Sequence, residues 1–179
     1  KGHGGDPDYR VYDDLVNKYK RKSQIFDLPS TTNLNEYLEY LEKVDTKDYM
    51  WLVSVKDIQG YFMTENLIKK FEKIGFKSSN ILLEKKYHSF IGGVGIEESV
   101  IEKYGNDEAI EYSTSIGYRK IEITSETLNT GNESKIVIGN TDYSKNIRGL
   151  NFVVIDKKSG EIIDSVAFDT HVPEMTCYR

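Results

Sequence analysis

Apolar positions along this chain follow the helical repeat in the first half and strand-like alternation in the second. Tyr12, Leu15, Val16 and Tyr19 predict a helix over residues 8–22. It ends in Lys18, Lys20, Arg21 and Lys22, a cluster that suits the negative end of a helix dipole. Pro29 and the Ser30-Thr31-Thr32 run then break the chain. Leu34, Tyr37, Leu38, Leu41 and Val44 form a second helical stripe, with Asn33 as cap and Glu36 three residues on, as in a capping box. Thr64 caps a third helix, in which Leu67, Ile68, Phe71 and Ile74 face inward and Gly75 supplies the stop. Between these two helices, Met50–Val55 is an apolar run of a strand's length, edged by Lys56 and Asp57 and followed by a loop containing Gly60.

Tyr87 to Ile91 predicts another strand, closed by Gly92-Gly93-Val94-Gly95. From about Tyr118 the pattern becomes short strands between turns. Ile121 and Ile123 alternate with charge, Asn129–Asn132 is a turn, and Ile136-Val137-Ile138 ends at Gly139-Asn140. Leu150–Ile155 and Ile162–Phe168 flank Asp156–Gly160, a hairpin loop of four or five residues. Neither half can bury a core alone, so residues 8–179 are expected to form one α+β domain with an antiparallel, β-sandwich-like sheet core and flanking helices. Residues 1–7 read as a tag or a domain edge. The sequence has no internal repeat and no low-complexity tract.

The length of 179 residues suits one core and falls short of two comfortable ones. The 29 acidic against 24 basic residues leave a net charge of -5, which argues against nucleic acid as partner. No apolar run approaches the roughly 20 residues of a membrane helix, so membrane insertion is not expected. Lys1–Pro7 lacks the apolar segment of a secretory leader. With 13 Tyr and 7 Phe the chain is too aromatic for a disordered tail. Cys177 is the sole cysteine, which excludes an intrachain disulfide, a Cys-rich zinc site and an internal redox pair.

Few motifs carry chemistry. Gly92–Gly95 lacks the Lys-Ser/Thr of a phosphate loop, and strand-end turns are the default for such glycines. His88 and His171, with Asp57, Asp164 or Asp169, lack metal-ligand spacing, so no metal or other cofactor is expected. His88 reads as a half-exposed strand residue and His171 as a polar turn residue. No serine stands in a nucleophile elbow, and Cys177 would need a spatially adjacent histidine to act as one. Asn132-Glu133-Ser134 fits a glycosylation acceptor, a triplet that chance produces often.

Three segments together resemble the interleukin-like EMT-inducer (PANDER-like) domain. Arg148–Asp156 followed by Ser159-Gly160 and Asp164–His171 resembles that family's Arg-Gly strand, hairpin and Phe-Asp-Thr ending. Asp48–Asp57 resembles its strand with a Lys-Asp end, and Phe90–Gly95 its closing strand. In the family the Arg-Gly strand precedes the Lys-Asp strand; here it follows, so the resemblance implies a circularly permuted order. The late hairpin is then expected between the Trp51 and Phe90 strands, with Asp57 and Lys85 gathered at one rim. The alternative is a stretch cut across two tandem domains, its strands completed by a neighbouring copy. The disulfides of the animal secreted members are missing.

The resemblance implies a compact β-sandwich with outer helices, generally without catalysis. In one branch, the stem domain of a protein-O-mannose N-acetylglucosaminyltransferase, it implies sugar binding through an Asp at the Lys-Asp strand end and an Arg before the closing strand. Those positions fall on Asp57 and Lys85, and the family's neighbouring aromatic falls on Glu84, with Tyr87 or Tyr61 as a replacement. The expected function is a non-catalytic carbohydrate-binding module with Asp57, Lys85 and Tyr87 as ligand residues, a glycan as partner, and another domain of a larger protein as neighbour. An extracellular, cell-surface or lumenal setting follows from that reading. The alternatives are a secreted protein-interaction module anchored by exposed tyrosines, and a glycan-active enzyme using Asp57 and Asp169.

Overall fold

The computed structural model describes residue 25 and residues 27–57, 61–97 and 99–179. The helix expected over residues 8–22 and the loop glycine at 60 lie outside the described residues. Helix α1 spans Leu34–Glu42, and Asn33 caps it by accepting the backbone N–H groups of Asn35 and Glu36. Helix α2 spans Glu65–Ile74; Thr64 Oγ1 accepts from the Leu67 N–H, and Gly75 ends the helix in the left-handed conformation. Both sets of caps are those the sequence predicts.

Strands β1 (Tyr49–Lys56), β2 (His88–Ile96), β3 (Ser99–Asn106), β8 (Gly149–Asp156), β9 (Ile162–Phe168) and β10 (Cys177–Tyr178) form one antiparallel sheet in the order β10-β9-β8-β1-β2-β3. Strands β4 (Ile110–Ile116), β5 (Arg119–Ser125), β6 (Ser134–Ile138) and β7 (Thr141–Asp142) form a second sheet in chain order. The larger sheet is the middle of three layers, which explains its nearly unbroken apolar runs. Trp51, Val53, Phe90, Phe152, Val154 and Phe168 face the helices, joining Tyr37, Leu41, Phe71 and Phe76. Met50, Leu52, Ile91, Val153 and Ile155 face the other way, onto Ile121, Ile123, Ile136 and Ile138 of the second sheet. The molecule is thus α+β and dominated by antiparallel sheet, as expected.

Two details differ from the sequence reading. β2 does not end at Gly92 but runs through the glycines to Ile96. A Cβ on Gly92 would lie 2.7 Å from Phe76 and 2.9 Å from Val53, so this strand stays extended with hydrogen in place of a side chain. Gly95, at φ +89°, sits in a bulge between Val94 and Ile96, and that extra residue turns Ile96 onto the second-sheet face. The β8–β9 hairpin was expected between the Trp51 and Phe90 strands. Instead β1 pairs β2 directly, with Trp51 opposite Val94, and the hairpin adds to the far edge of β1, with Trp51 opposite Val154. A buried strand hydrogen-bonds on both edges, so its sequence pattern does not reveal which neighbour takes which edge.

Candidate functional site at the strand-end rim

One end of the larger sheet gathers most of the polar chemistry. Because neighbours are antiparallel, the C-terminal end of β9, the start of β8, the end of β1, the start of β2 and the end of β3 form a continuous rim. Phe168 stands near Gly149, Gly149 opposite Lys56, and His88 opposite Asn106. The segment joining β5 to β6 folds over this rim.

β1 and β2 part there after Ser54 and Ile91. Ser125 is wedged between them, its Oγ donating to the Val55 carbonyl and accepting the Phe90 N–H at 3.0 Å. On one side of the wedge, the Glu126 carbonyl accepts the Asp57 N–H at 3.1 Å. On the other, Thr127 Oγ1 donates to Asp107 at 2.8 Å, and Asp107 N–H donates to the Tyr87 carbonyl at 2.9 Å. The wedge divides the rim into two cavities.

The first, of about 430 Å³, is lined by Lys56, Asp57, Asn132, Asn146, Arg148, Asp169 and Tyr178, among others. Asp57, Asn132 and Asn146 all adopt left-handed backbone, at φ 48°, 57° and 55°, a conformation that short Asx side chains tolerate and that concentrates at ligand clamps. The Asp57 carbonyl lies 2.5 Å from His171 Nε2, and because a carbonyl can only accept, that nitrogen carries the proton. Gly149, at φ +105°, lets the chain pass Phe168 and Thr170, where a Cβ would lie 2.4 Å from the Phe168 carbonyl. That passage sets Arg148 Nε 3.1 Å from both oxygens of Asp169, whose Oδ1 also accepts the His171 N–H at 2.9 Å. Two oxygens at this cavity, Asp57 Oδ1 and Asn132 Oδ1, are buried without any hydrogen-bond partner. Native structures leave few such groups, and each asks for a ligand, water or ion.

The second cavity, of about 660 Å³, is lined by Ile81, Glu84, Lys85, Lys86, Tyr87, His88, Tyr104, Asn106 and Asp107. His88 is not half-exposed as the sequence suggested but 1% exposed, because the start of β2 lies beneath the loop from Ile81 to Tyr87. Glu84 Oε2 stands 3.2 Å from its Nε2, at an angle that makes no hydrogen bond.

Of the residues predicted from sequence, then, Lys85 and Tyr87 line one cavity and Asp57 the other. Around Asp57, the cations are Arg148 and Lys56, whose Nζ donates to the Asn146 carbonyl at 3.0 Å, and the aromatic is Tyr178. Arg148 stood in the Arg-Gly motif without a site role, and Asn132 was read as a turn and glycosylation residue. Nothing in their spacing singles them out, since they arrive from β8, β10 and the β5–β6 turn. Burial, opposed by Arg179, pushes the Cys177 thiol above its ordinary value, which works against its use as a nucleophile. Among the described residues no three His, Cys, Asp or Glu side chains converge as metal ligands, and no helix is long and apolar enough to cross a membrane.

No protein-family model, curated protein or solved structure matches this chain.

Proposed function

We propose that the chain is a non-catalytic carbohydrate-binding module whose site is the strand-end rim around Asp57. The observation that carries this reading is the first cavity. It joins a carboxylate with a buried unpartnered oxygen, an unpartnered Asn oxygen, a guanidinium held at one edge, and an exposed tyrosine ring. A sugar needs that combination: acceptors for its hydroxyl hydrogens, a cationic donor, and an aromatic face for its C–H surface. Arg148 uses Nε for Asp169 and keeps its side chain 50% exposed, which leaves the rest of the fork toward solvent. Asp169 is committed to Arg148 and the His171 N–H, so it orients the site.

Exposed apolar side chains gather at the same rim. Tyr104 and Tyr178 line its cavities, Tyr61 lies edge-on to His171 at 6.3 Å, and Leu128 sits on the covering turn. Lys85 and Tyr87, beyond the Ser125 wedge, extend the surface available to a longer glycan.

The resemblance to the interleukin-like EMT-inducer domain points the same way. The three segments that carry it occupy four adjacent strands, β9-β8-β1-β2. The stretch after Phe168-Asp169-Thr170 leads to Arg179, which donates to the Leu28 and Thr31 carbonyls just before α1. A short spatial path from the Phe-Asp-Thr ending to that helix is what a permuted order requires.

The test is a glycan array followed by titration calorimetry on the strongest neutral glycan. Asp57→Ala is expected to weaken binding at least about tenfold, roughly the loss of one charge-assisted contact. Its melting temperature should stay within a few degrees of the parent's, because the Asp57 fold contacts are made by its backbone. Unchanged affinity in that variant would remove the rim from consideration.

A further inference from the structure

In the larger cavity the Asp107 carboxylate is taken and the cationic donors are free. The Asp107 carboxylate receives Thr127 Oγ1 at 2.8 Å and Asn129 Nδ2 at 3.0 and 3.2 Å. Glu84 Oε2 stands 3.2 Å from His88 Nε2 without a hydrogen bond. By contrast, among the described residues the Lys85 and Lys86 ammonium groups make no hydrogen bond or ion pair, and the Tyr87, Tyr104 and Asn106 side chains are equally uncommitted. Beneath them His88 has two buried ring nitrogens without a hydrogen-bond partner. A neutral imidazole always carries one N–H, so the floor offers a donor in either tautomer.

We infer that this cavity binds the oxyanion of an acidic sugar residue. Two adjacent ammonium groups and a buried imidazole supply charge-assisted donors, while the Tyr87 and Tyr104 rings offer faces for a pyranose. The volume of about 660 Å³ admits a charged sugar, whereas Ser125 and the turn it anchors keep this cavity apart from the one at Asp57. Glu84 is the opposing group: its carboxylate occupies the approach to His88 and repels an incoming anion. The inference deepens the rim-site reading by giving the glycan an acidic residue in a second subsite. The oxyanion has two possible sources, a uronate carboxylate or a sulfate ester.

The experiment is titration calorimetry of the full chain at low ionic strength with glucuronate, glucose 6-sulfate and glucose. At least one charged sugar should bind about tenfold more tightly than glucose. The Lys85→Ala/Lys86→Ala double variant, altered only at exposed side chains, should lose about tenfold, and Glu84→Gln should gain about threefold. Binding of glucuronate alone assigns a uronate, and binding of the sulfate alone assigns a sulfated sugar; both uphold the inference. Failure of both charged sugars to outbind glucose would overturn it, as would wild-type affinity in the double lysine variant. The Asp57 reading fails separately, by intact neutral-glycan binding in Asp57→Ala.

Discussion

Strand β9 has an Arg–Asp pair near either end, Asp164 with Arg179 and Asp169 with Arg148. At the first, Arg179 donates from Nε and Nη2 to the two oxygens of Asp164, both at 3.0 Å, and to the carbonyls of Leu28 and Thr31. Tyr37, fully buried, donates its hydroxyl to Asp164 Oδ2 at 3.0 Å, and the guanidinium lies over its ring. At the second, a single guanidinium nitrogen meets Asp169, half of the arginine faces solvent, and nearby oxygens of Asp57 and Asn132 have no partner. The residue types are the same. What separates a structural clamp from a candidate binding site is how many of the buried polar groups are already satisfied.

That contrast can be broken from the clamp side first. Asp164→Ala strands the Arg179 charge and the Tyr37 hydroxyl, and should lower unfolding free energy by about 3–5 kcal/mol in urea titrations. A loss below 1 kcal/mol would show the clamp to be dispensable. Arg148→Ala should do the reverse: weaken neutral-glycan affinity about tenfold and cost less stability than Asp164→Ala, about 1–2 kcal/mol, since Arg148 is half exposed and the buried Asp169 keeps the His171 N–H. A large stability loss with intact binding would erase the distinction between the two pairs.

The smallest effect belongs to Tyr37→Phe, which removes one buried hydrogen bond and should cost about 1 kcal/mol. Burial and then Asp164 hold the Tyr37 phenol well above its ordinary value of 10.0, so the unfolded chain releases that proton first. Tyr37 therefore stabilises fully below that pH and loses its contribution as pH climbs past it. The wild type should lose stability more steeply than Tyr37→Phe in alkaline melts. Parallel alkaline profiles would contradict this.

The sequence makes the clamp and the site unequally visible. The caps and stripes of α1 and α2 and the β8–β9 hairpin follow from periodicities that act over a few residues, and the structure has them. β3 escaped because a mostly exposed edge strand such as Ser99–Asn106 has no clean alternation, whereas β4 alternates but its inward face is only half-buried. Asp57 enters the candidate site through the family resemblance, as the carboxylate at the Lys-Asp strand end. Its companions were not legible, because Arg148, Asn132 and Tyr178 meet it only through the register of β8 on β1 and the Ser125 wedge. His88 differs from its expected half-exposure for another reason: it sits where the start of β2, paired to Asn106 of β3, meets the Ile81–Tyr87 loop just before it.

The most direct test of the rim as a sugar site is a ¹H–¹⁵N NMR titration of the full chain with the strongest neutral glycan. Asp57, Asn132, Arg148, Asp169, His171 and Tyr178 should show the largest saturable shifts. Shifts confined to the opposite end of the sheet, around the Asp156–Gly160 loop, would contradict it.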